Sequence, residues 1–359
     1  MALALAYVLL SLGITGSWIY IAKTEADGSG FNSIVKAADG TARVPFVKRR
    51  LLPDLARGLA FVVPEFAWDG LKETLKGTCA VVGLCRPFID GQRWQPKDFP
   101  VLFSAYFLIW LSVLALLFTC RKLILLLYEC PRWLADVLAG LVGLAVLGGC
   151  GYTYKSYPYD LPNCFLFTLT ITAMIARRWW FILPFVAAVY SKETAVLLIA
   201  GYALLAGSWR SLRFATVLNL SVLGAIYLGA RLIIDYHYPS VAGEFWGGFW
   251  YPGRNAETVT GFLIFYSWAL PFVAVCAYRM ARLWPSYPWT LKRLIWLAAP
   301  LLTLGFFRGL FEEKRQYLEV MPIAGLMVAQ WVLHEWGLGR LLVARARVKE
   351  ASASDPIES

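Results

Sequence analysis

Charge is scarce in this chain. Only 16% of its 359 residues are charged, where soluble domains carry about 25%. Histidine is scarcer still, with only His237 and His334. No His/Cys cluster has metal-ligand spacing, which excludes zinc chemistry of the usual kind. The first apolar run, Ala2 to Ala22, lacks a basic n-region and an A-x-A cleavage site, so it reads as an uncleaved helix rather than a signal peptide. No internal repeat or low-complexity segment is present, which argues against a transporter built from two similar halves. The net charge of +11 is not gathered into a stripe on a polar domain. The basic residues fall between apolar runs, where a membrane protein needs them, and this excludes nucleic acid as the partner.

What fills the chain instead is apolar. Hydrophobic residues make up 59%, and there are 16 tryptophans, a residue suited to lipid–water interfaces. A bilayer core needs about 20 apolar residues per helix. After Ala2–Ala22, apolar runs stand near 101–119, 134–151, 161–176, 179–191, 194–207, 214–232, 258–279, 294–310 and 319–336. The expected fold class is therefore all-α: a polytopic membrane protein of about ten transmembrane helices, with the lipid bilayer as its partner. Residues 1–336 read as one transmembrane domain. Residues 23–100 form its long polar loop, with amphipathic pieces such as Leu51 to Val63 suited to the interface. Residues 337–359 form a basic tail, with its last ten residues expected to be disordered.

Lys and Arg in short loops set the orientation. One set of loops holds Arg121, Lys122, Arg132, Arg177, Arg178, Arg210, Arg213, Arg279, Arg282, Lys292 and Arg293, and the tail adds Arg340, Arg345, Arg347 and Lys349. The opposite loops hold about half as many, mixed with acids. The first set is expected to be cytoplasmic, with both termini inside and loop 23–100 outside. Cys79 and Cys85 share that loop; they are either free thiols or, if the loop is extracytoplasmic, a pair.

Segment 179–207 decides the helix count. It has Lys192-Glu193 in its middle and Arg pairs at both ends. One span would place an Arg pair on the wrong side and leave two charges near mid-bilayer, at about 2.5–3.5 kcal/mol each. Two short helices meeting at Lys192 solve both problems. Each rises about 20 Å against a hydrocarbon core of about 30 Å, so Lys192 and Glu193 lie in a hollow below the outer surface.

Several ionisable groups converge on that side: Glu25 and Asp27, Arg49, Asp160, Lys192 and Glu193, then Arg308, Glu313, Arg315 and Tyr317. Each also has a bland reading. Asp160 precedes a helix and suits a cap; Lys192 and Glu193 suit an internal ion pair; Glu313 and Arg315 suit an interfacial salt bridge; Arg49 and Arg50 suit lipid headgroups. Tyr236, Tyr238, Phe245, Trp246, Phe249, Trp250 and Tyr251 suit either sugar stacking or an interfacial belt.

The layout resembles polytopic glycosyltransferases of the GT-C fold, among them the protein mannosyltransferases and the aminoarabinose transferases of lipid A. The shared features are a first helix, a long outer loop with acids soon after it, and a module of short helices. Ser191-Lys192-Glu193-Thr194 is similar to the Lys-containing turn of those families. Arg49-x-Leu51-x-Pro53 and Glu313-x-Arg315-x-Tyr317 with Pro322 resemble motifs of related bacterial membrane proteins. The acids here are split as Glu25-Ala26-Asp27, where those families often pair them.

The resemblance implies sugar transfer from a polyprenyl-phosphate-linked donor to an acceptor outside a bacterial inner membrane. Asp27, then Asp160, with Glu25 beside them, would be the carboxylates that take the acceptor proton. Lys192 and Arg315, then Arg49 and Arg308, would stabilise the leaving phosphate. Glu193, Glu313 and Tyr317 would position these groups. The resemblance implies no particular cofactor; a divalent cation is compatible with the chemistry, but no ligand set marks one. A flippase of lipid-linked saccharide, or a non-catalytic subunit of a cell-envelope complex, are the alternative readings.

Overall fold

The computed structural model describes residues 2–22, 34–42, 46–82, 98–151, 157–206, 214–238, 252–265, 270–308 and 314–345. These residues are almost wholly helical. Helix α1 spans Ala2–Ala22, α2 Ile34–Ala38, α3 Leu51–Val62 and α4 Glu65–Val82. Helix α5 spans Phe99–Leu127 and α6 Arg132–Gly151, separated by a short strand, β1, at Tyr128–Glu129. Next come α7 (Asp160–Ile175), α8 (Ile182–Ser191), α9 (Val196–Leu205) and α10 (Phe214–His237). The chain continues through α11 (Pro252–Phe265), α12 (Leu270–Arg282), α13 (Trp289–Leu294), α14 (Ala298–Arg308) and α15 (Met321–Glu335) to strand β2 at Val343–Ala344.

Among the described residues, four helical stretches are long and apolar enough to cross a membrane: Phe99–Leu127, Arg132–Gly149, Phe214–His237 and Trp289–Phe307. The expectation of about ten spans is thus met in kind rather than in number. Several expected spans are shorter apolar helices, such as Asp160–Ile175 and the pair on either side of Lys192. Two other boundaries move. Helix α5 runs through Arg121 and Lys122, read above as a loop, because Arg121 is neutralised by Asp136 on α6. The run 258–279 extends at both ends, since α11 starts at Pro252 and α12 reaches Arg282, with 266–269 outside the described residues; Pro271 stands in the first turn of α12, where proline is tolerated.

Helix α5 is the axis of the core. It packs against α1, α3, α6 and α7, and α15 closes against α6. Leu102, Ile109, Leu116, Leu117, Leu123 and Ile124 of α5 are fully buried. Close approach is built in at Gly143 of α6, where a Cβ would stand 2.6 Å from Leu117 and 3.3 Å from Ile14. Helix α10 differs: it is apolar, yet only 17% of its most apolar stretch is buried, and Leu218, Leu228 and Leu232 face outward. Lipid is the solvent such a face requires.

The two ends of the bundle are distinguishable. At one end Tyr7 donates to the Asp136 carbonyl, β1 pairs antiparallel with β2, and Tyr128 donates to Gln330 at 2.9 Å. The residues before and after the bundle therefore meet at the same end. The tail is not loose from Gly337 onward: Val343–Ala344 and the Arg345 amide, which donates to the Leu127 carbonyl at 3.0 Å, tie it to β1. Its expected disordered end, like the acids at 25 and 27, the aromatic residues at 245–251 and Cys85, lies outside the described residues.

Candidate functional site

The site begins with a helix that stops. Helix α8 ends at Ser191, Lys192 is fully extended (φ −159°, ψ 149°), and a 3-10 turn at Glu193–Ala195 starts α9. Neither Gly nor Pro stands at the break. The two helices double back as a hairpin. Phe181, just before α8, stacks on Tyr202 near the end of α9 at 5.7 Å. Asn219 of α10 donates to the Tyr202 hydroxyl, and the Tyr227 hydroxyl donates to the Glu193 carbonyl at 3.1 Å. Positions 219 and 227 are two turns apart, about 12 Å. The hairpin apex therefore stands against the middle of α10, as the spacing of charges in 179–207 predicts.

Two ion clusters meet at that apex. In the inner one, the Lys192 ammonium lies 2.8 Å from Glu319 Oε1 and 3.6 Å from Asp160 Oδ1. All three side chains are sealed, with 8%, 0% and 0% of their surface exposed. Glu319 Oε1 also accepts from Asn163 Nδ2 at 3.0 Å and from the Thr194 hydroxyl at 2.7 Å. Asp160 Oδ2 accepts from the Tyr157 amide at 3.1 Å. Helix ends favour this arrangement, since Asp160 opens α7 and Lys192 closes α8, each matched in sign to the local dipole.

In the outer cluster, Glu193 does not pair with Lys192, its neighbour in sequence. Its Oε2 takes both Nε and Nη2 of Arg49, each at 3.2 Å, and its Oε1 lies 3.9 Å from Nη2 of Arg231 on α10. The Arg49 guanidinium also lies over the Tyr159 ring at 4.4 Å and the Phe46 ring at 5.3 Å. Burial pulls its pKa down, but Glu193, then Tyr159 and Asp160, more than reverse that, so it stands above its ordinary value and stays charged.

The segment that carries Arg49 is clamped to both the hairpin and α10. The Arg50 amide donates to the Tyr190 carbonyl in the last turn of α8, at 3.0 Å. Lys48 pairs with Asp235 at 2.7 Å, and the Lys48 carbonyl accepts from Arg231 Nη1 at 3.5 Å. Arg50 itself turns away, pairing with Asp54 and the Ala37 carbonyl. Behind Arg49, Phe46, Tyr157 and Tyr159 form a buried aromatic group. Taken as ionised, the inner cluster carries one negative charge in excess and the outer one positive charge in excess. The two together are neutral, which is what a low-dielectric setting demands.

Of the groups predicted from sequence, Asp160, Lys192, Glu193 and Arg49 come together here. Two of them differ from expectation. Asp160 is enclosed and engaged, so it has no face to offer an acceptor. Lys192 is held between two carboxylates rather than turned toward an incoming phosphate. Tyr317 lies on the turn Lys314–Val320, packed on α14 where a Cβ at Gly305 would stand 2.5 Å from its hydroxyl. Arg308 ends α14 and Arg315 lies on that same turn, but their side chains fall outside the described residues, as do Glu25, Asp27 and Glu313 altogether.

Three participants escaped the sequence. Glu319 was visible only as an acid two residues past Tyr317. Asn163 follows Asp160 within one helical turn, on a helix that otherwise reads as apolar. Arg231 stands four residues after Tyr227 and four before Asp235, and that i, i+4 row of polar groups on α10 was the available signal. Among the described residues no group of three His, Cys, Asp or Glu side chains is placed to hold a metal ion. Compared with protein-family models, curated proteins and solved structures, the chain finds no match.

Proposed function

We propose that this protein is a multi-pass membrane glycosyltransferase that moves a sugar from a polyprenyl-phosphate carrier to an acceptor hydroxyl on the extracytoplasmic side. The observation that supports it is the helical hairpin whose charged apex stops midway along α10 and is capped by the arginine segment of the first loop. In a bilayer, irregular backbone at that depth is tolerated only where protein or a polar cavity surrounds it, and ionisable groups there mark functional sites. A transmembrane anchor alone needs no such device.

In the reaction, an acceptor hydroxyl oxygen attacks the anomeric carbon. The carbon–oxygen bond to phosphate breaks, polyprenyl phosphate leaves with the electron pair, and the acceptor proton passes to a carboxylate. Asp27 is the proposed base. Asp160, sealed against Lys192, serves as the anchor that keeps the hairpin apex in place. Arg49 takes the phosphate-facing role, since its guanidinium is fixed by backbone ties on both sides and stacked on two rings. A fixed cation in a site of low dielectric stabilises the leaving phosphate without reorganisation at the moment of reaction. About ten membrane passages, with both termini in the cytoplasm of a bacterial cell, complete the reading.

The test is release of polyprenyl phosphate. Purified protein in nanodiscs is given a panel of polyprenyl-phosphate sugars with envelope acceptors, and free polyprenyl phosphate is measured by mass spectrometry. Release that disappears in Asp27→Asn, with the same melting temperature as the parent, is the expected result. A panel that yields no release with any sugar removes the reading.

A further inference from the structure

The two arginines of the outer cluster are unequally served. Arg49 spends its Nε/Nη2 edge on a single oxygen of Glu193. Arg231 presents the same edge, but its Nε and Nη2 are buried and make no hydrogen bond of ordinary geometry, although the Tyr227 hydroxyl one turn away stands beside the guanidinium. Glu193 Oε1, the oxygen nearest to that edge, is likewise without a hydrogen bond at 3.9 Å. A buried guanidinium fork left unfilled is costly, and forks of this kind match oxyanions two oxygens at a time.

The geometry points to a two-arginine phosphate seat, Arg49 with Arg231, in which the carboxylate of Glu193 is a built-in occupant that an arriving phosphate displaces. This rests on the glycosyltransferase reading only for its source of phosphate, the lipid carrier. A carboxylate has two oxygens, and both N–H groups of Arg49 converge on one of them. A phosphate monoester has three terminal oxygens and more charge, enough to fill both forks together. Access favours approach along the Glu193 side chain, which is 31% exposed against 11% for each arginine, while its Oε1 facing Arg231 is buried. The ligand thus arrives from the Glu193 side, and the displaced carboxylate swings toward solvent. The neighbouring charges have partners of their own, Lys48 with Asp235 and Asp160 with Lys192.

Binding of farnesyl phosphate to the full-length protein in nanodiscs tests the seat, with farnesol and inorganic phosphate as comparison ligands. Arg231→Met is expected to weaken farnesyl phosphate at least tenfold, and Arg231→Lys to recover part of that. Glu193→Gln is expected to tighten it several-fold, a gain that a purely structural glutamate would not give. If Glu193→Gln lowers the melting temperature, farnesyl phosphate should restore it and farnesol should not. Inorganic phosphate displacing farnesyl phosphate at equal concentration would make the free ion, rather than the lipid, the natural occupant of the same seat. Unchanged affinity in Arg231→Met, weaker or unchanged affinity in Glu193→Gln, or no saturable binding to either form overturns the seat. The expected binding pattern without any sugar transfer would keep the seat and remove the enzyme; transfer indifferent to Arg231→Met would do the reverse.

Discussion

The inner and outer clusters at the hairpin apex differ in how deeply they are sealed and how closely their charges meet. Around Lys192 the partners are numerous, short and sealed from solvent: two carboxylates, an amide and a hydroxyl within 3.6 Å of one another's atoms. Around Glu193 the contacts are longer, Nε and Nη2 of Arg231 make no hydrogen bond of ordinary geometry, and the Glu193 side chain is part-exposed although its Oε1 is buried. Adjacent residues in the chain thus serve opposite ends. Both clusters leave polar atoms without a hydrogen bond, Asn163 Oδ1 and Glu319 Oε2 in the inner one and Arg231 Nε and Nη2 in the outer one; only the outer one has a carboxylate side chain that reaches solvent.

Breaking the inner network should cost most. Lys192→Met leaves Asp160 and Glu319 buried without a cation, a loss of about 3–5 kcal/mol, measured as thermal or denaturant stability in detergent. Lys192→Met combined with Asp160→Asn and Glu319→Gln removes the stranded charge and should recover most of it. Recovery would show that charge balance, rather than the ammonium itself, holds the apex. Asn163→Ala takes one donor from Glu319 and should cost about 1–3 kcal/mol. In the outer network, Arg49→Gln still leaves Glu193 near Arg231 and free to reach solvent. The expected stability loss is about 1 kcal/mol, with polyprenyl phosphate release falling far more than stability does. At the rim, Asp235→Asn breaks a pair whose carboxylate is 54% exposed, and the change should stay below about 1 kcal/mol. If Asp235→Asn destabilised as much as Lys192→Met, the contrast between sealed and part-exposed charges would be wrong.

The sequence disclosed part of this arrangement. The break at Lys192 was legible because Arg pairs at both ends of an apolar run forbid a single span. The helical boundaries of α1, α7 and α15 were legible because apolar runs ended at polar groups. Helix number was not, since apolar length alone does not separate a span from a helix that turns back at half depth. Arg121 misled because a cation at a helix end reads as a loop until its partner, Asp136, is known. Glu319 and Arg231 were hidden for a related reason: the partners that give each its meaning lie far along the chain.

The hairpin also acts on the membrane that holds it. Helices α8 and α9 have ten residues each, about 15 Å of rise, beside a hydrocarbon core of about 30 Å. Lipids next to such a stub must shorten, tilt or let water follow, so the leaflet is drawn thin on this flank and at full thickness beside α5. On the proposed reading, a carrier headgroup in that thinned leaflet would lie nearer the arginines without leaving its leaflet. Membranes of longer acyl chains, which resist such puckering, should accordingly be poorer hosts.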